Sequence, residues 1–169
     1  MDEDREEFVD SHLFLGMHSV EEPTRIVCKN FFAARFHRSV SMSLEQVGKC
    51  DDIVWRYPRK LQDLYYPFMD VLHSRMRINR LPFMEKDLDR IKDPQLEGVG
   101  IHERLLLAMI FNRNGILYTV NQDLLERSTL PVRLPPAGKE ARFPKALEKL
   151  YQRSLDLRIP KTQFEMTNV

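Results

Sequence analysis

Long apolar runs are missing from this sequence: no hydrophobic stretch approaches the ~20 consecutive residues that a membrane-spanning helix needs. The acidic start, Asp2 to Glu7, is the opposite of the basic n-region of a signal peptide, so a soluble, cytoplasmic protein with no membrane partner is expected. Cysteine is scarce as well. Cys28 and Cys50 show neither CxxC nor Cys/His spacing, which argues against zinc and against a disulfide scaffold and fits a reducing compartment. An excess of either charge is also lacking. The 26 basic and 25 acidic residues leave a formal net charge of +1, too little to announce nucleic-acid binding by a general basic field. Any such binding has to be local, and the densest basic stretches, Arg56 to Lys60, Arg75 to Arg80 and Lys139 to Lys149, read first as solvated faces.

What is present suits one globular core. With 43% hydrophobic and 30% charged residues over 169 positions, a real core can be buried and a second full domain is not expected. The break at Pro135-Pro136-Ala137-Gly138 divides the chain into a domain of residues 1–138 and a basic, helical extension with a polar tail, 139–169, packed on that domain.

Along the chain, short apolar runs alternate with helical periodicity. The run from Phe8 to Leu15 predicts a first strand ending near Asp10 and a tight approach to a helix. Ser19 with Glu22 three positions later predicts a capping box for a helix running to about Phe36. Val40 to Ser43 predicts a second strand, with Ser43 capping the helix of Leu44, Val47, Ile53 and Val54 that Pro58 stops. A third helix is expected over Leu61 to Arg75 despite Pro67, followed by an edge strand or an extended connection where apolar and polar residues alternate at Ile78 to Pro82, and a short helix at Met84 to Ile91. The strongest helical pattern covers Ile101 to Asn112, stopped by Asn114-Gly115. Strands at Ile116 to Val120 and Val132 to Leu134 and a last helix over Pro144 to Leu157 complete a doubly wound α/β sheet with helices on both faces.

Four acids stand out against this frame: Asp10, Glu45, Glu103 and Asp123, each at a strand end or in the first turn of the following helix. A parallel sheet places its crevice outside the carboxyl ends of its strands, so such acids converge. Clustered carboxylates repel one another by several kcal/mol unless a cation sits among them, and hard, oxygen-seeking Mg²⁺ or Mn²⁺ is the expected partner. Each acid also has a plainer role available: Glu45 and Glu103 as first-turn acids at a helix dipole, Asp123 as a cap. His12, His18 and His102 read as surface or satisfied histidines. His102 and Glu103 point ~100° apart on a helix and are not expected to face one metal. Trp55, Tyr57, Tyr65 and Tyr66 could stack on bases, although their helical spacing favours core packing or a dimer face.

In order and pattern these segments resemble a PIN domain, the small metal-dependent ribonuclease fold related to flap endonucleases and used by many toxins of toxin and antitoxin pairs. Phe8-Val9-Asp10-Ser11-His12-Leu13-Phe14-Leu15 resembles its opening strand, and Val40-Ser41-Met42-Ser43-Leu44-Glu45 its second strand with a helix-borne glutamate. His102 to Ala108 is similar to the segment in which an acid precedes an alanine by five positions, and Ile116 to Leu124 resembles the closing strand, threonine, spacer and acid. The likeness spans roughly residues 5 to 135. Two positions depart: glutamate stands at Glu103 and asparagine at Asn121 where the family normally has aspartate, so Asp123 has to supply the missing charge.

The resemblance implies a PIN-like three-layer sandwich with a mostly parallel sheet. It also implies two-metal hydrolysis of RNA phosphodiester bonds in a toxin, defence or processing role. Asp10 would be the central metal ligand, with Glu45, Glu103, Asp123 and Asn121 completing the shell directly or through water, and Ser11 or Thr119 would orient a water or phosphate. Implied partners are RNA and a protein of antitoxin or complex-subunit type, with a homodimer also compatible. Two alternatives stand beside this reading: a degenerate PIN-like domain that binds nucleic acid or protein without cutting, and a metal-dependent hydrolase of small phosphorylated molecules.

Overall fold

The structure, a computed structural model, describes residues 4–165; the first residues of the acidic start, 1–3, and the end of the C-terminal tail, 166–169, lie outside the described residues. Five strands, β1 (Glu7–Val9), β2 (Ser39–Ser43), β3 (Arg77–Leu81), β4 (Ile116–Tyr118) and β5 (Val132–Arg133), pair in the order β3-β2-β1-β4-β5. Every pairing is parallel: Phe8 lies opposite both Ser41 and Leu117, and Leu117 opposite Val132. The chain winds outward from β1 to β3, then returns to the far side of β1 for β4 and β5. The topological switch point therefore falls between β1 and β4.

Side chains alternate across a strand, so successive residues of β1 serve different cores. Val9 joins the apolar cluster with Phe14, Phe32, Ile53, Phe68 and Tyr151, whereas Phe8 joins Leu106, Met109, Leu117 and Leu124. The first core is covered by α1 (Ser11–Gly16), α2 (Glu22–Ala34), α3 (Leu44–Val54), α4 (Arg59–Arg75) and α8 (Lys145–Ser154). The second is covered by α6 (Ile101–Asn112), with α5 (Glu85–Arg90) and α7 (Gln122–Leu125) beside it. A further short helix, α9 (Thr162–Glu165), ends the described chain. The sheet is thus sandwiched between helical layers, and both edges are protected in the usual way: β3 carries exposed Arg77 and Arg80, and β5 is two residues long.

The first strand ends just before Asp10, as the sequence predicts, and the tight approach that follows is itself helical. Asp10 caps α1, accepting from the Leu13 amide at 2.9 Å, and the next six residues are helical. The Ser19/Glu22 box does not form either: Ser19 accepts from the Glu21 amide at 3.0 Å and bridges to Ile159, so α2 starts without a side-chain cap. Elsewhere local chemistry prevails. The Ser43 hydroxyl caps α3 at Gln46, 3.2 Å away. At the end of α6, Asn114 takes φ of 51° while Gly115 donates to Ile110 and Asn114 to Phe111, a Schellman arrangement. A side chain on Gly115 would strike the Phe8 ring 2.6 Å away, so glycine lets β4 enter beside β1.

The C-terminal segment is tied to α2 by buried charge. Lys29, fully buried, pairs with Glu148 at 2.9 Å and Glu140 at 2.6 Å, and Arg25 donates to Glu140 at 2.5 Å and to the Tyr151 hydroxyl at 2.9 Å. Tyr151 donates onward to the Met17 carbonyl at 2.7 Å. His18 is also fully buried and meets Ser154 at 2.8 Å; burial pushes its imidazole down to about 3, so it is neutral. No helix among the described residues is long and apolar enough to cross a membrane.

Leu106 is 1% exposed, so Leu106→Ala is expected to cost about 2–5 kcal/mol in chemical denaturation. An unchanged midpoint would mean that α6 does not face the core. A second expectation concerns acid. Hydrogen bonds from Arg25 and then Lys29 hold the Glu140 carboxyl down to about 2, from an ordinary 4.5. A depressed carboxyl contributes stability that is complete above 4.5 and lost as pH falls toward 2. Melting temperature should therefore fall more steeply over that window in the wild type than in Glu140→Gln.

Candidate active site

At the carboxyl ends of β1 and β4, across the switch point, the Thr119 hydroxyl donates to Asp10 Oδ2 at 2.5 Å. Asp10 is 3% exposed and Thr119 fully buried. With Leu13 N–H on its other oxygen, the carboxylate is fixed on both sides, and Thr119 is fixed in turn by the Asn121 amide at 3.0 Å. Burial nevertheless dominates and pushes the Asp10 carboxyl above its ordinary value, against the pull of His12, Thr119, Leu13 and Lys49. Next to it, the Ser11 amide donates to Gln46 Oε1 at 2.8 Å, joining the end of β1 to α3, and the buried Ser11 hydroxyl has no partner among the described residues.

The other predicted acids reach this edge from the first turns of α3, α6 and α7. Glu45 Oε1 meets His102 Nδ1 at 2.9 Å, and Glu103 Oε1 lies 3.6 Å from the Lys49 ammonium. His102 and Glu103 thus take different partners, as their angular separation on the helix requires. Asp123 is exposed in the first turn of α7, which is capped by Asn121: its side-chain oxygen accepts from the Asp123 amide at 3.1 Å. Glu103, Asn121 and Asp123 share the wall of a cleft of about 690 Å³ with Gly98, His102 and Arg127.

Two residues at this centre escape a search for acids alone. His12 feels Asp10, Glu103 and Asp123 together; burial pushes its imidazole below the ordinary 6.5 with help from Lys49, while the three carboxylates pull it up. Lys49, 9% exposed, is the cation in the cluster. The available signals were spacing: His12 lies two residues after Asp10, and Lys49 one helical turn after Glu45, on the same face. Of the aromatic residues expected to pack in the core or on a dimer face, Tyr65, 3% accessible, is in the core, whereas Trp55 at the end of α3, 65% accessible, is not.

An all-carboxylate donor set suits Mg²⁺ or Mn²⁺. Among the described residues no three His, Cys, Asp or Glu side chains are grouped to hold an ion between them. Glu45 and Glu103 are already paired, and both Asp10 oxygens are bonded. The described residues therefore do not fit a closed all-protein cage; an ion held here would have to keep most of its water and take one or two direct carboxylates, the mode Mg²⁺ adopts when water and phosphate fill its shell.

The chain belongs to DUF6190, a family of unknown function, whose model matches residues 1–164. Among curated proteins none matches it significantly. Its structure is similar to a chain of VapBC2 from Rickettsia felis, solved bound to a DNA fragment from their promoter. The identity is 14%, the match covers 77% of this chain and 98% of that chain, and the TM-score is 0.56. At that identity the likeness establishes the fold alone, a PIN-like α/β three-layer sandwich.

The burial of Asp10 carries a stability consequence. Its carboxyl is raised in the folded state, so ionising it costs stability as pH rises above the unfolded value, and the cost vanishes as pH falls below that value. Asp10→Asn should melt at or above the wild type at about pH 7 without metal, the difference shrinking toward about pH 4. A variant several degrees less stable at neutral pH would show that the Thr119 and Leu13 hydrogen bonds outweigh burial.

Proposed function

We propose that this protein is a PIN-like ribonuclease that hydrolyses RNA phosphodiester bonds with Mg²⁺ or Mn²⁺. The observation that carries the reading is the Asp10 carboxylate, buried at the switch point, oriented by Thr119, and sharing His12 as a neighbour with Glu103 and Asp123 at an open cleft. The PIN-like fold and its implied chemistry support it.

In this reading Asp10 and Glu103 would hold the ion, with Asp123 and Glu45 reached through water, and Asn121 as a neutral ligand at most. The bound ion would supply a more acidic water and charge neutralisation at the phosphate. The protein's own groups do the positioning. Thr119 and the Leu13 amide keep the Asp10 carboxylate from rotating, so its geometry is set before substrate arrives. Arg127 in the wall of the cleft and Lys49 behind Glu103 place positive charge there, which a chain with net charge of +1 has to provide locally. Ser11 offers a hydroxyl with an unused hydrogen bond for a water. The division at residue 138, with the extension serving as a brace for the preceding domain, belongs to the same proposal.

A protein partner also belongs to it. VapBC2 is named for a pair of proteins, and here Leu44 and Ile101, 49% and 53% exposed, stand in the first turns of α3 and α6 beside Glu45 and His102. An exposed apolar side chain lining an acidic cleft, Ile101, with a second, Leu44, exposed next to Glu45, suits a protein that covers it.

A second reading, the non-cleaving domain, is favoured by Lys49: an ammonium 3.6 Å from Glu103 already answers the repulsion that would otherwise demand a metal. One set of measurements separates the two. Mixed RNA should be cut in Mn²⁺, spared in EDTA and spared by Asp10→Asn. Millimolar Mn²⁺ should raise the melting temperature, and raise it further in Lys49→Met, which frees Glu103, and in Asn121→Asp, which keeps the α7 cap while adding a negative ligand. Intact RNA together with no Mn²⁺ shift in any of these proteins would overturn the enzyme and leave the binding domain.

A further inference from the structure

The segment after β4 has two faces. Thr119 bonds to Asp10, and Asn121 and Asp123 line the acidic cleft, whereas the intervening Val120 and Gln122 line a second cavity of about 230 Å³. His12 belongs to both sides. Its imidazole feels Asp10, Glu103 and Asp123, and its ring walls the second cavity, stacked on Phe164 with centroids 4.3 Å apart and planes 21° from parallel.

This cavity differs in character from the cleft. Its floor is apolar, formed by Leu15, Val27 and Val120, and an aromatic pair closes one side. A few polar groups at the rim, Gln122 and Lys161 among them, could read an edge or meet a phosphate. It is smaller than the ~300–1,000 Å³ that drug-sized ligands occupy, so a single flat ring system is the scale it suits. It also lies one strand end away from where a phosphate would meet Asp10, and a nucleotide's base lies one sugar away from its phosphate.

We propose that this cavity receives the unpaired base of the RNA nucleotide that flanks the scissile phosphate, so that cleavage is base-selective. The proposal rests on the ribonuclease reading of the adjoining cleft. Unpaired RNA bases are recognised by stacking on aromatic and apolar walls with a few hydrogen bonds to their edges, and His12, Phe164, Val27 and Gln122 supply that combination. The charge pattern agrees: carboxylates line the cleft where an ion would screen phosphate, and the base cavity next door is uncharged except at its rim.

The test uses the full chain in two measurements. Cleavage sites are mapped on a randomised single-stranded RNA in Mn²⁺, for the wild type, Val27→Phe and Gln122→Ala. Val27→Phe fills the cavity from α2, and Gln122→Ala removes the amide from an exposed position where folding is not at stake. The wild type should share one base, or purines or pyrimidines as a class, at a fixed offset from the cut. Both variants should still cut, with that preference reduced on the order of tenfold, the share carried by one stacked base. Separately, adenosine, guanosine, cytidine and uridine monophosphates are titrated in EDTA while the His12 and Phe164 ring protons are followed by NMR. At least one should shift both rings in the wild type and not in Val27→Phe. Ring shifts without any RNA cleavage would support the base cavity and remove the nuclease reading. Cleavage without base preference, with no ring shift from any nucleotide, would overturn the base cavity and keep the nuclease. Ring shifts caused only by an aliphatic or peptide ligand would overturn it as well.

Discussion

The constraint on which this site depends is a carboxylate taken out of water where the strand order reverses. An ionised group buried as deeply as Asp10 costs several kcal/mol unless fixed dipoles replace its hydration. Here those dipoles are the Thr119 hydroxyl and the Leu13 amide, and each dictates geometry. The first requires β4 beside β1 in parallel register; the second requires the chain to turn into α1 immediately after Asp10. The start of the helix, the choice of threonine and the placement of His12 all follow from satisfying one side chain.

Around that fixed point the electrostatics are a balance and not an excess of negative charge. Glu45 is engaged by His102 and Glu103 by Lys49, the first link joining the first turns of α3 and α6 and the second reaching one turn further along α3. These helices pack on different cores yet converge at one sheet edge, so the two contacts also clamp the layers together there. A cation entering the cleft meets a cluster already partly neutralised. Lys49 is the cation that supplies this neutralisation at Glu103.

The C-terminal segment serves packing and site at once. Lys29, Glu148, Arg25 and Tyr151 dock α8 on α2, and the Tyr151 hydroxyl reaches the Met17 carbonyl just beyond α1. The chain then pairs with residues 18–20 through Ile159 and brings Phe164 onto the His12 ring. Through this path the buried ion network of the core ends at an aromatic wall beside the carboxylates.

Several elements are legible in the amino-acid order alone because their causes are local. Apolar spacing marks Ile101–Asn112, Ser43 caps its own helix, Asn114-Gly115 stops another, and apolar/polar alternation marks the strand Arg77–Leu81. The six residues after Asp10 are not legible, since Leu13-Phe14-Leu15 is as apolar in a strand as in a helix of under two turns. Ser19 escapes too, because a residue 140 positions away competes for it. The same boundary runs through the site. The sequence by itself placed Asp10, Glu45, Glu103 and Asp123 at strand ends and first turns, and with them the edge where they would meet. Only the tertiary structure decided that Thr119 holds Asp10, that His102 and Lys49 claim Glu45 and Glu103, and that Asn121 caps instead of pointing inward. Hydrogen bonds and Coulomb attraction act over a few ångströms of space, and no local pattern encodes which distant residues come that close.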